Sequence, residues 1–334
     1  MRTSGIFSNM GPVVGRVRWV MLGALASGML PAFAQDYPSR PVRLVVPFEA
    51  GGSTDTQARG IGAELARHLA QTVLIENRTG AAGLIGADLV AKSKPDGYTV
   101  CVCATTQTIL APYSEIKAPY DAAHDLVPVT QLWSDDGTVV VRSSLGVNSM
   151  ADLVALARRS PGKLSYGSNG PGSTTHLGTL MLLNATGTSM LHVPYKGEQP
   201  AATDLIADRL DVLYLSVTVA SRFAGGGKLK VLAVRGTARN NLLPDVPTLS
   251  EAGVANAESS TQGGLFVAAG TARPIVDRLY TAASQAVNAP EVKARISAAG
   301  QQPVGSRPEV YAAYLQSERE RWGKVARLVA GRKD

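Results

Sequence analysis

Leu44-Val45-Val46-Pro47-Phe48-Glu49-Ala50-Gly51-Gly52-Ser53-Thr54-Asp55 runs from a continuous apolar segment through a glycine pair into a cluster of helix-capping residues. The run predicts a strand, a binding loop and a helix. Beyond it the apolar residues fall at Ala58, Ile61, Leu65 and Leu69, close to the helical period, while Arg59, Glu64, Arg67 and His68 lie off that stripe. Gly51 and Gly52 let bare backbone approach a ligand, and the first helical turn offers N–H groups with no partner inside the helix. Such an end attracts anions. It is not a Walker phosphate loop, since no Gly-Lys-Ser/Thr follows, and it lacks the Gly-x-Gly-x-x-Gly spacing of a dinucleotide site. The competing reading is an ordinary turn, with glycines for geometry and Ser53 or Thr54 as the helix cap.

Upstream, Arg16 and Arg18 precede an apolar stretch over residues 19–30, closed by Ala32-Phe33-Ala34. This pattern predicts a signal peptide over residues 1–34, cleaved after Ala34, its apolar stretch too short to span a membrane. The mature chain is expected in the periplasm, without stable membrane insertion or a lipid anchor. The formal charge of +7 is that of the full sequence and includes Arg2, Arg16 and Arg18 of the leader, so the mature chain is only mildly basic. Lys and Arg are scattered without a polybasic run or interleaved aromatics, which argues against nucleic acid as a partner.

The only cysteines, Cys101 and Cys103, flank Val102 in an apolar run that reads as a buried strand. Residues two apart on an extended strand point in parallel, poor geometry for a mutual disulfide, so they are expected to be small core residues. The four histidines form no ligand cluster with them, and no metal is expected.

Between residues 42 and 103 strands at 42–46, 73–76 and 98–103 alternate with helices from 55 and over 85–91, which is α/β layering around a mainly parallel sheet. A second glycine turn, Gly80-Ala81-Ala82-Gly83, opens the shorter helix. After an extended segment at 126–130 the layering restarts. Residues 149–160 form an amphipathic helix with a capping-box start at Ser149 and Asp152, and Gly167-Ser168-Asn169-Gly170-Pro171-Gly172-Ser173-Thr174-Thr175-His176 repeats the strand–loop–helix plan. Strands at 192–195, 212–215, 229–234 and 263–268 and helices at 200–207, 274–288 and 290–299 complete the pattern. A last helix starts at a Ser306/Glu309 capping box with Pro308 in its first turn, and carries Tyr311, Leu315, Trp322, Val325 and Val329 on one face. Two such units joined by extended crossings predict a two-lobed clamp: residues 1–34 leader, 35–126 with 250–334 the first lobe, 127–249 the second. Ligand is expected between the lobes.

No catalytic residue is expected. Tyr166-Gly167-Ser168-Asn169-Gly170 has Tyr where the nucleophile elbow requires its first glycine. Ser168 or Ser173 with His176 as a periplasmic hydrolase is the enzyme-class rival. Nothing in the chain calls for a cofactor.

Taken in order, several stretches resemble one family, the periplasmic solute-binding receptors of tripartite tricarboxylate transporters, often called Bug-type receptors. They are Tyr37-Pro38-Ser39-Arg40-Pro41-Val42-Arg43, Val46-Pro47-Phe48 with Gly51-Gly52-Ser53-Thr54-Asp55, Glu76-Asn77-Arg78, Lys94-Pro95-Asp96-Gly97-Tyr98-Thr99, Pro161-Gly162-Lys163-Leu164, His192-Val193-Pro194-Tyr195-Lys196-Gly197, Leu243-Pro244-Asp245-Val246-Pro247-Thr248 and Glu251-Ala252-Gly253. The resemblance implies a Venus-flytrap receptor, type II-like, that holds a small carboxylate through backbone amides, hydroxyls and waters of two glycine loops. It implies hand-over to the integral membrane permease subunits of a tripartite transporter; signalling to a membrane sensor kinase is the alternative. Carried over residue by residue, it points to Phe48, Ala50, Gly51, Gly52, Ser53, Thr54 and Asp55 on the first lobe. On the second it points to Ser168, Asn169, Ser173, Thr174 and His176. Four departures bear on the ligand, one of them Gln107 in place of the His common in the family after the third strand. Glu49, where the family usually has Pro or Ala, is expected to face solvent. Leu215 replaces an Asp that could meet a ligand amine, which argues against an amino acid. Gln262 and Gly263 replace an aromatic pair, which is expected to enlarge the cleft.

Overall fold

The computed structural model describes residues 37–113, 117–223 and 226–330, with side chains to 327. The expected leader and the Val329 side chain lie outside the described residues. In chain order the elements are β1 (Val42–Val46), α1 (Ser53–Leu69), β2 (Val73–Asn77), α2 (Leu84–Ala91), β3 (Thr99–Ala104), β4 (Leu126–Asp135) and β5 (Gly137–Arg142). Then come α3 (Met150–Arg159), β6 (Ser165–Ser168), α4 (Thr174–Thr186), β7 (Leu191–Pro194), α5 (Glu198–Ile206), β8 (Val212–Ser216), α6 (Val217–Phe223) and β9 (Leu229–Val234). The chain closes with β10 (Thr261–Ala268), α7 (Arg273–Asn288), α8 (Pro290–Ala298), β11 (Gln301–Pro303) and α9 (Pro308–Ala330).

The strands form two mixed sheets, ordered β11-β4-β10-β3-β1-β2 and β7-β6-β8-β5-β9. In the first, β1 to β4 run one way and β10 and β11 the other; in the second, β6 to β9 run one way and β5 alone the other. The reversed strands β5 and β10 are those that enter a sheet from its neighbour. Four of the five residues of β1 are Val or Leu, Arg43 being the exception, because both its faces are covered: Val42, Leu44 and Val46 pack with α1 and α7, Val45 with α2 and α9. The second sheet is covered in the same way, by α3 and α4 on one face and α5 and α6 on the other. Among the described residues no helix is long and apolar enough to cross a membrane.

Four local expectations are corrected. Cys101 and Cys103 are joined as a disulfide, and both are fully buried. Their Cα atoms are 5.4 Å apart, within the range a disulfide spans, where two fully extended steps cover about 6.8 Å; local curling of β3 brings the sulfurs together. Ser306 does not cap α9: its hydroxyl accepts from Gln131 N–H at 3.4 Å and Glu309 pairs with Arg273. Gln262 and Gly263 add no room, since Gln262 is buried between Thr108 and Tyr311, and a Cβ on Gly263 would lie 2.2 Å from the Trp133 ring. The first helix starts two residues earlier than the pattern predicts, at Ser53, and its cap position is Gly52, without any side-chain cap. Ser149, by contrast, caps α3 as expected, accepting from Asp152 N–H at 3.1 Å. The strand β5, the short helix α6 and the three-residue β11 go beyond the elements the sequence pattern predicts.

Candidate ligand site

β1 to β4 are parallel, so the loop after β1 and the end of β4 lie on one edge of the first sheet. Gly137, the first residue of β5, pairs with Ser216, the last residue of β8, so the chain enters the second sheet at the edge where β6, β7 and β8 end. Asp136 alone separates β4 from β5. The carboxyl-end edges of the two sheets therefore meet at this crossing, the place where open α/β sheets take ligands.

The loop after β1 is held from inside by Asp55. This carboxylate is 1% exposed and accepts from Gly51 N–H at 2.8 Å, from Arg59 Nε at 2.8 Å and from Asn77 Nδ2 at 2.8 Å. The bond from Arg59, with those from Gly51 and Asn77, outweighs the cost of burial and pulls the Asp55 pKa down to about 2. Asn77 also donates to the Phe48 carbonyl at 3.0 Å and accepts from Arg59 at 3.1 Å, so the end of β2 braces the loop of β1. The second glycine turn packs against the same loop: a Cβ on Gly83 or Gly86 would fall 2.4–3.1 Å from Pro47, Gln107 or Arg78 atoms. Gln107 clasps that turn to the end of β3, donating to Ala82 O at 2.6 Å and accepting from Ala104 N–H at 2.9 Å. With its interior occupied by Asp55, the loop leaves its outward groups available. The Ser53 and Thr54 side chains make no hydrogen bond within the described protein, and the N–H groups of the first turn of α1 have no cap. Ala50, Gly51, Gly52 and Ser53 are exposed, as is Glu49.

The loop after β6 is built differently. Ser173 caps α4, accepting from His176 N–H at 3.2 Å and donating to Gly170 O at 2.7 Å. Thr175 Oγ1 accepts from Asn169 N–H at 2.8 Å, and His176 Nδ1 accepts from Gly172 N–H at 3.1 Å. Ser168, 1% exposed, sits 2.6 Å from His192 Nε2 and accepts from Gly170 N–H at 3.1 Å. His176 stacks on His192 with ring centroids 4.2 Å apart, and burial, followed by the charge of His192, lowers its pKa to about 4. Ser168, Ser173 and His176 thus hold the loop's own shape. Asn169 and Thr174 keep their side chains free of protein partners within the described residues. The Tyr113 carbonyl, after β3, lies 3.5 Å from where a Gly172 Cβ would be. Among the pairs considered for catalysis, the histidine beside Ser168 is His192, not His176, and the hydroxyl is enclosed. No group of three or more His, Cys, Asp or Glu among the described residues is arranged to hold a metal ion. Lys196 is exposed on the loop after β7, and Tyr195 donates to Asp204 at 3.0 Å.

Residues 57–330 match the family model described as the tripartite tricarboxylate transporter family receptor. The chain belongs to this receptor family. It is 37% identical over 290 residues, 86% of each chain, to a Pseudomonas sp. protein encoded between tcbD and tcbE. It is 32% identical to BugT of Bordetella pertussis over 305 residues, 91% of this chain and 94% of that one. Among solved structures, MatC of Rhodopseudomonas palustris with bound malate is 31% identical with a TM-score of 0.69, covering 87% of this chain and all of that one. Another R. palustris protein, with adipate, is 35% identical with a TM-score of 0.71, covering 87% of this chain and 98% of that one. These receptors share the two-lobed periplasmic-binding-protein fold.

Proposed function

We propose that the protein is an extracytoplasmic solute-binding receptor that captures a small carboxylate-containing metabolite between two lobes and delivers it to the permease of a tripartite tricarboxylate transporter. The observation that carries this reading is the uncapped N-terminus of α1, with Ser53 and Thr54 unpartnered, at the edge where both sheets present the ends of their parallel strands. An anion seated there takes N–H groups that no protein atom among the described residues uses. Family neighbours described with malate and with adipate support a carboxylate as that anion. On this reading residues 35–126 with 250–334 form one lobe and 127–249 the other, residues 1–34 direct export to the periplasm, and the ligand contacts are Phe48, Ala50 to Asp55, Ser168, Asn169, Ser173, Thr174 and His176. Asp55, Ser168, Ser173 and His176 contribute chiefly by fixing the loops.

The test is a thermal-shift and calorimetric screen of mono-, di- and tricarboxylates. A ligand at a hundredfold its dissociation constant adds about 2.7 kcal/mol, a shift of several degrees. Binding that survives simultaneous change of Ser53 and Thr54 to Ala would remove the seat from this loop, and a screen in which no carboxylate binds would overturn the function.

A further inference from the structure

In the second sheet β6 and β7 pair with Tyr166 opposite His192. Both rings lie on the face that α3 and α4 cover, and His176 of α4 extends the stack: ring centroids are 5.0 Å apart for Tyr166 and His192 and 4.2 Å for His192 and His176. Beside this stack is a cavity of about 910 Å³, bounded by the C-terminal end of α3, by α4, by the turn from α4 to β7 and by Val325 of α9. That volume is in the range of small-molecule sites. No residue before Ala157 lines the cavity, so it is separate from the loop after β1 and from the seat proposed there.

The helix α4 gives the cavity its direction. His176, Leu180, Leu183 and Asn184 all line it, and their spacing of i, i+4, i+7 and i+8 makes them one stripe along the helix. At about 1.5 Å per residue the stripe is about 12 Å long. Leu180 and Leu183 make its middle apolar, and Met190, just before β7, adds to that wall. Both ends carry donors. At one end His176 is only 7% exposed, and its Nδ1 accepts from Gly172 N–H at 3.1 Å. The neutral ring therefore bears its proton on Nε2, which donates to no group among the described residues. Burial keeps that ring neutral near pH 7, its pKa lying at about 4. At the other end Arg158 donates to the Thr186 carbonyl at 2.8 Å, near the C-terminus of α4, and among the described residues no carboxylate pairs with it. No Asp or Glu among the described residues lines the cavity.

An apolar wall with a cation at one end and a buried neutral N–H at the other complements an apolar chain with an anion at one end and an uncharged oxygen at the other. We propose that this cavity is a second binding site, for a linear medium-chain acid with an oxygen at its far end. The carboxylate pairs with Arg158, the chain lies along Leu183, Leu180 and Met190, and the far oxygen accepts from His176 Nε2–H. A chain of about eight carbons spans the stripe. The site stands independently of the receptor reading above.

Calorimetric titration of the purified protein with 8-hydroxyoctanoate, octanoate and 1,8-octanediol tests it. The hydroxy acid should bind tightest, octanoate about 5-fold more weakly for want of the hydrogen bond to His176, and the diol about 10-fold more weakly for want of the charge. Leu180→Trp, which fills the middle of the stripe from a half-buried position, should abolish binding of all three, an unchanged Tm showing that the variant is folded. Arg158→Gln, at an exposed position, should bring the acid down to the affinity of the diol. The Ser53→Ala/Thr54→Ala variant should bind 8-hydroxyoctanoate as the wild type does. Wild-type protein that binds none of the three, or binding that survives Leu180→Trp, overturns the site. Binding lost in the Ser53→Ala/Thr54→Ala variant also overturns it, since the acid then sits on the α1 loop, and leaves the receptor reading standing. Failure of every short carboxylate at the α1 loop, with 8-hydroxyoctanoate still bound, overturns the receptor reading alone.

Discussion

The loops after β1 and β6 perform one topological task, opening a helix at the carboxyl end of a strand, and they do it with opposite chemistry. The first is braced by one buried carboxylate, Asp55, tied to backbone, guanidinium and amide, and its helix is left uncapped. The second is braced by hydroxyls and an imidazole, and its helix is capped by Ser173. The difference teaches where a ligand can gain most. A loop held by an interior charge keeps its rim unpartnered, while a loop held by its own hydroxyls has already used them. On the proposed receptor reading the first loop is the seat and the second a shaped wall.

The largest test of this contrast is Asp55→Ala. It removes the acceptor that joins Gly51, Arg59 and Asn77, leaving Arg59 only its bond to Asn77 and Asn77 only those to Arg59 and Phe48, so ligand binding should disappear and Tm should fall by about 5 °C. An equal loss on Ser173→Ala with no loss on Asp55→Ala would reverse the roles of the loops. Next in size, changing Ser53 and Thr54 together to Ala should weaken the carboxylate by about 10- to 100-fold while Tm moves by about 1 °C or less, because those hydroxyls hold nothing in the free protein. Ser173→Ala should do the converse, costing about 1 kcal/mol of stability as a lost helix cap with a smaller change in affinity.

Acid separates the loops most finely. His176 titrates at about 4 in the fold against 6.5 outside it, so its contribution is intact above about pH 6.5 and lost as pH falls towards 4. Asp55, at about 2 against 3.8, contributes fully above about pH 4 and is lost as pH falls towards 2. Hydrogen exchange of the two loops across this range should show the β6 loop loosening first. His176→Gln should flatten only the upper window and Asp55→Asn only the lower. Simultaneous loosening would mean that the two loops unfold as one unit.

Much of this contrast is readable in the residues themselves, and the limits have physical causes. The period of Ala58, Ile61, Leu65 and Leu69 announces α1, and the glycine pairs announce both loops. The direction of each hydrogen bond is not local information. Asp55 looks like a first-turn acid facing a ligand, and only the arrival of Asn77 from the next strand shows that it faces inward. β5 escapes the periodicity because Thr138, Val139, Val140 and Val141 are all buried, leaving no alternation to count. The Cys101–Cys103 bond depends on curling of β3, which no residue pattern encodes. Gly263 has the sequence signature of added space and the structural role of a slot for Trp133.

A crossing of one residue has a mechanical meaning for a molecule that must hold and release cargo. Asp136 can rotate but cannot lengthen, and a Cβ on its neighbour Gly137 would lie 2.0 Å from the Tyr214 ring, so the strap is pinned at its second end as well. The sheets cannot drift apart to free what lies between them. On the proposed receptor reading, release takes a change of angle about this crossing rather than a separation of the sheets.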